Sequence, residues 1–241
     1  MIWRLIDSGF AAGAGNMETD LQLARECHDD QAVLRFYGWQ PYCISLGANQ
    51  NLSEIDIEKA AADGIDVVRR PTGGRAVLHA EELTYSVIMP AHCGYSSAQI
   101  YSGISLALVQ GLKIYDPRLE RVELETLQPD FSGLLKTSEG TACFASSAKS
   151  EVKYEGRKLI GSAQRKLNNS ILQHGSLLCG SFHKRITGYL MQSEEQKLQL
   201  ARHLDENTVD LGEILNAKTD YKRLRESIAK GFELEWNINL H

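Results

Sequence analysis

Cys143 lies in the stretch Thr141 to Arg165, TACFASSAKSEVKYEGRKLIGSAQR, where a possible nucleophile, a glycine turn, a lysine in an apolar strand and a loop of small residues follow one another. A thiolate, not a thiol, attacks carbonyl carbon, and a free cysteine with pKa ~8.5 is only a few per cent ionised at neutral pH. A nearby cation lowers that pKa by favouring the anion. Lys158 is the cation of choice, because Leu159 and Ile160 follow it directly and place it in a strand instead of a solvated loop. The pairing points to covalent acyl chemistry. Taken alone, each residue has a simpler reading, the cysteine as a small buried hydrophobe and the lysine as a surface side chain. A second motif has to carry the argument.

The elements around the pair are short. Val152 to Tyr154 and Arg157 to Ile160 read as strands joined at Glu155-Gly156, where glycine supplies the positive φ of a tight turn. With a two-residue turn Lys153 lies opposite Lys158, and like charges across a ladder are unfavourable. Either the loop is longer or one lysine has another partner, such as a thiolate.

The second motif, Arg69-Arg70-Pro71-Thr72-Gly73-Gly74-Arg75-Ala76-Val77-Leu78-His79, lies between two β-rich runs, Ile65 to Arg70 and Leu83 to Met89. Adjacent glycines let backbone approach a ligand and turn its amides toward a carbonyl or phosphate oxygen. A phosphate loop is excluded, since the Lys-[Ser/Thr] pair and the following helix are both missing. By itself Gly73-Gly74 reads as a tight turn, and His79 as a satisfied structural histidine.

Together, RRPTGGRAVLH, ELTYSV, ACF, EGRKLIGSAQ and LQHGSLL, in that order, resemble the lipoate/octanoate transferase and lipoate-protein ligase family from about Asn16 to Leu178. The resemblance is nearest to its cysteine-dependent octanoyltransferases, which take octanoate from acyl carrier protein. It implies an α+β fold, a mixed β-sheet core with surrounding helices, of the biotin/lipoate-protein ligase-like catalytic type. It implies Cys143 as the acyl-thioester nucleophile and Lys158 as the residue that lowers its pKa and orients the acyl carbonyl. Arg70, Gly73, Gly74, Arg75, His79, Gly161, Ser162 and Ala163 would bind the acyl substrate.

The implied donor is octanoyl-acyl carrier protein, and the implied acceptor is the lysine of a lipoyl domain or of a glycine cleavage H protein, with no cofactor and no metal. In this family an acidic residue commonly follows the motif histidine. Ala80 stands there, a departure that bears on the local hydrogen bonding of His79 and not on the family.

An ATP-dependent lipoate-protein ligase of the same fold is the rival reading, and Cys143 separates the two, because a ligase activates its acid as an adenylate. An amidotransferase moving octanoyl between lipoyl domains would use a cysteine as well. A non-catalytic acyl-binding regulatory protein is the alternative from another class.

The whole chain agrees with an ordinary globular protein: 241 residues, 43% hydrophobic and 24% charged. One catalytic domain, 1–241, is expected, with a motif-bearing core at about 16–180 and a helical part at 190–241. Five cysteines, none in a CxxC pair or at metal-ligand spacing, fit a reduced cytoplasmic compartment. The N-terminal segment is too polar for a signal peptide, and no run approaches the ~18 apolar residues of a membrane span. A net charge of −5 argues against general nucleic-acid binding. It also requires a local basic rim for an acidic carrier, from Arg69, Arg70, Arg75, Arg157, Arg165 and Lys166.

Helix starts are expected at Asn16, at Ser53 or Asp56, and at Ser96 or Ser97, where a short polar side chain precedes helical periodicity. Helical spacing recurs in Ser193 to Leu204 and in Asp220 to Phe232. Strands are expected at Val33 to Tyr37, Cys43 to Leu46 and Ile171 to Leu178.

Overall fold

The computed structural model of the chain describes residues 1–125 and 151–241, so Cys143 lies outside the described residues. Among the described residues two sheets form the frame. The larger has seven strands in the order β1-β2-β6-β10-β9-β8-β7: β1 Ile2–Ala11, β2 Gln31–Trp39, β6 Glu82–Pro90, β7 Val122–Leu124, β8 Val152–Tyr154, β9 Arg157–Leu167 and β10 Ser170–Leu178. β1 runs parallel to β2, and every other neighbouring pair is antiparallel. The smaller sheet is β4-β3-β5, with β3 Cys43–Leu46, β4 Asp66–Arg69 and β5 Val77–His79. This is the mixed-sheet α+β architecture that the motifs imply.

All nine residues of β6 are buried, and their alternation assigns each face a different task. Leu83, Tyr85, Val87 and Met89 join the main core under α3 Ser97–Tyr115 and α6 Tyr221–Trp236, with Ile100, Ile104 and Leu108 opposed by Leu224, Ile228 and Phe232. Glu82, Thr84 and Ser86 point the other way, toward α1 Gly13–Arg25 and the small sheet, where each is hydrogen-bonded. One face is therefore the apolar core and the other is polar and specific.

Around the small sheet, Ile44, Leu46, Ile65 and Leu78 pack against Leu200 and Leu204 of α4 Glu194–Asn207 and Ile186 of the 3₁₀ run Ser181–Tyr189. The short helices α2 Ile57–Ala62 and α5 Leu211–Leu215 complete the α-helices among the described residues. Among the described residues no helix is long and apolar enough to cross a membrane.

Side-chain caps account for most helix starts. Ser96, Ser193 and Asp220 accept hydrogen bonds from the backbone amides of Gln99, Gln196 and Arg223, and Asp56 from that of Lys59. Asn16 departs from the expectation. The helix begins earlier, at Gly13, and Asn16 is a buried residue whose Nδ2 donates to the carbonyls of Ala11 at 3.2 Å and Gly38 at 2.9 Å. A tertiary role overrides the cap.

Candidate active site

The hairpin of β8 and β9 turns at Glu155 and Gly156, both left-handed at φ 49° and 79°, so the turn has two residues. Lys153 does stand opposite Lys158. The repulsion is met by two carboxylates. Lys153 Nζ pairs with Glu125, and Lys158 Nζ donates to Glu151 Oε1 at 2.7 Å with both side chains 4% exposed. The backbone of Lys158 is pinned on its other side, where its carbonyl accepts the Val209 amide at 3.1 Å. A cation is thus held inside the protein at the start of β9.

Beyond it, Gly161, Ser162 and Ala163 do not form a loop. They continue β9 and pair with Ser176, Gly175 and His174 of β10, so their small side chains open space above a ladder. That space is a narrow cleft of about 30 Å³, lined also by Met17, Tyr37, Trp39, Arg70, Val77 and His79. Its walls are mostly apolar carbon with a few fixed polar groups. The lining suits an aliphatic chain, and the cleft has to open to take one.

Gly73, Gly74 and Arg75 do not line this cleft. Their loop is built on close backbone contact: Gly74 has φ 93°, and a Cβ on Gly47 would come within 1.9 Å of the Gly74 carbonyl oxygen. Arg70 braces it from below, donating to the carbonyls of Gly73 at 2.9 Å and Arg75 at 2.7 Å. Only 4% exposed, Arg70 cannot belong to a docking rim. Arg69 is committed locally too, since its guanidinium donates to the Gly47, Ala48 and Gln50 carbonyls. Arg165 bonds the Pro71 carbonyl at 2.6 Å and Arg157 pairs with Glu213 at 2.5 Å, while Lys166 is exposed.

Two polar chains cross the polar face. In the first, Arg70 donates to Ser45 Oγ at 3.1 Å, Ser45 reaches His79 Nε2 at 2.7 Å, and His79 Nδ1 meets Glu82 Oε1 at 2.8 Å. Thr84 and Ser176 hydroxyls also donate to Glu82, at 2.6 and 2.8 Å. Burial would raise the Glu82 carboxyl, but His79 and these hydroxyls outweigh it and hold the group below the usual range. With a carboxylate at Nδ1, the Nδ1 proton is the donated one and Nε2 faces the Ser45 hydroxyl. Glu82 therefore supplies the acidic partner that Ala80 cannot. Trp39 stacks on the His79 ring at 4.1 Å and fixes its plane.

In the second chain the Thr72 hydroxyl contacts His174 Nε2 at 2.6 Å and His174 Nδ1 contacts Asp20 Oδ2 at 3.2 Å. Asp20 is also bound by Arg35 at 2.7 Å, Ser86 at 2.8 Å and Tyr37 at 3.1 Å. Burial lowers the His174 pKa, so the ring is neutral, gives its Nδ1 proton to Asp20 and accepts from Thr72. This chain ties the glycine loop to α1 across the sheet.

The sequence reading did not single out Glu82, Asp20, Arg35, His174, Trp39 or Glu151. One signal was available: Arg35 lies in the apolar run Val33 to Trp39 in the same way that Lys158 precedes Leu159 and Ile160. A buried charge needs a buried partner wherever it occurs.

Two sequence relatives share most of this chain. An octanoyltransferase LipM from Kyrpidia tusciae is 37% identical over 95% of this chain and 85% of its own. Another octanoyltransferase LipM, from Bacillus subtilis, is 35% identical over 99% and 87%. Among solved structures, a bipartite lipoate protein ligase from Thermoplasma acidophilum has the same fold, with a TM-score of 0.78 at 20% identity over 100% of this chain and 86% of that one. The expected resemblance holds over nearly the whole length, for residues 13–233 match the model of the lipoyl protein ligase A/B catalytic domain, and the chain belongs to that family.

Proposed function

We propose that this chain is an octanoyltransferase: it takes octanoate from octanoyl-acyl carrier protein as a Cys143 thioester and passes it to the lysine of a lipoyl domain or glycine cleavage H protein. The observation that carries this reading is the narrow apolar cleft over Gly161, Ser162 and Ala163, on the strand that presents Lys158, in a chain over a third identical to octanoyltransferases. Burying an acyl chain there contributes about 0.8 kcal/mol per methylene. Three of the four other thiols are poor candidates. Burial pushes Cys27 up to about 11 and Cys179 up to about 12, and raises Cys43 further, which leaves all three poor nucleophiles.

In the first step Cys143 sulfur bonds to the octanoyl carbonyl carbon and the carrier thiol leaves, an exchange of thioesters that needs no nucleotide. In the second the acceptor amine forms the amide bond, Cys143 departs as thiolate, and the ammonium proton goes to solvent or to a protein base. Each step builds negative charge on the carbonyl oxygen, and the Lys158 ammonium is the group assigned to meet it.

The test supplies octanoyl-acyl carrier protein and a lipoyl domain without ATP. Octanoylation of the acceptor lysine is the expected result. Transfer only from an octanoylated lipoyl domain would make the protein an amidotransferase, and transfer only from free acid with ATP would make it a ligase. Octanoate binding without turnover would make it a regulatory acyl-binding protein.

A further inference from the structure

We infer that Glu151 is a positioning residue for the transfer, acting through Lys158; the inference rests on the octanoyltransferase reading. Lys158 of β9 and Glu151, just before β8, face each other at 2.7 Å with both side chains 4% exposed. An ammonium without a counter-charge in an apolar interior is disfavoured against its neutral amine, and a neutral amine can neither stabilise a thiolate nor meet an oxyanion. Glu151 gives the ammonium a buried counter-charge and fixes its place.

The backbone around the pair is held firmly enough to make the placement specific. The Val152 to Ile160 ladder, the Glu125 amide on the Glu151 carbonyl at 2.8 Å and the Val209 amide on the Lys158 carbonyl at 3.1 Å leave little freedom for either residue. Lys153, across the ladder, has its own partner in Glu125, so it does not compete for Glu151. The second carboxylate oxygen, Glu151 Oε2, is buried and accepts no hydrogen bond from the described residues.

The experiment compares wild type, Glu151→Gln, Lys158→Ala and the double variant, each checked for folding by circular dichroism. Two rates are read at pH 7 on Cys143: octanoyl-thioester formation from octanoyl-acyl carrier protein, and alkylation by iodoacetamide resolved by peptide mass. Glu151→Gln is expected to slow both by tenfold or more, with Glu151→Asp recovering part of the loss. On the Lys158→Ala background Glu151→Gln should cost nothing further, because its effect passes through Lys158.

Wild-type rates in folded Glu151→Gln, or losses that add in the double variant, would overturn the inference. If Glu151→Gln does not fold, Glu151→Asp carries the same cycle, and an additive loss there overturns it as well. Failure of the functional reading looks different: wild type would form no thioester, while the alkylation rates would still test Glu151.

Discussion

At Glu82 the structure places a carboxylate where three donors converge, His79 Nδ1 and the hydroxyls of Thr84 and Ser176. Glu82→Ala would strand all three in a buried setting. Removing one member of a buried charged network costs about 3 kcal/mol, so the urea midpoint of the variant should fall by the equivalent amount. A midpoint within about 0.5 kcal/mol of wild type, the usual scatter of surface substitutions, would mean that Glu82 is not the partner that fixes His79. Residue types that do chemistry were readable from local sequence: a cysteine, a lysine in an apolar run, a histidine after a glycine loop. Their partners were not, because Glu82, Glu151, Asp20 and Arg35 acquire meaning only when strands distant in sequence are brought alongside.

The crossing of α3 and α6 makes the corresponding test for elements. A Cβ on Gly231 would meet the Ala107 carbonyl oxygen at 2.2 Å and the Gly111 amide nitrogen at 2.4 Å, both backbone atoms that cannot step aside. Gly231→Ala gains about 1 kcal/mol of helix propensity, yet overpacking costs of about 1 to 3 kcal/mol and more where backbones collide should leave the variant about 2 kcal/mol less stable in urea. A stabilised variant would show that the helices do not approach this closely. Elements with local signals were legible in advance: the hairpin turned at Glu155-Gly156, Ser96 and Asp56 capped as expected, and the periodic runs from Ser193 and from Asp220 formed helices. Asn16 and the Gly161 to Ala163 run were misread for one reason. Cap and loop signals describe neighbours in sequence, while Asn16 answers to Gly38 and Arg35, and Gly161 to the facing strand β10.

For the molecule as a whole, two buried histidines set the acid limit of stability. Burial lowers the His174 pKa and pushes His183 down to about 4. A folded pKa below the unfolded value of about 6.5 means that the unfolded chain takes up the proton first, so stability present above pH ~6.5 is lost as pH falls toward 4. His183 alone should account for on the order of 3 kcal/mol across that window. Urea unfolding should give a flat midpoint between about pH 7 and 8 and a decline below pH ~6.5; a midpoint unchanged down to about pH 5 would contradict the burial of neutral imidazoles. Whether the site works through a cysteine thioester is read from the intact mass after incubation with octanoyl-acyl carrier protein without ATP, beside Cys143→Ala. A gain of one octanoyl group, released by hydroxylamine and absent in the variant, is the expected result. No adduct, together with ATP-dependent loading of free octanoate or lipoate onto a lipoyl domain, would contradict it.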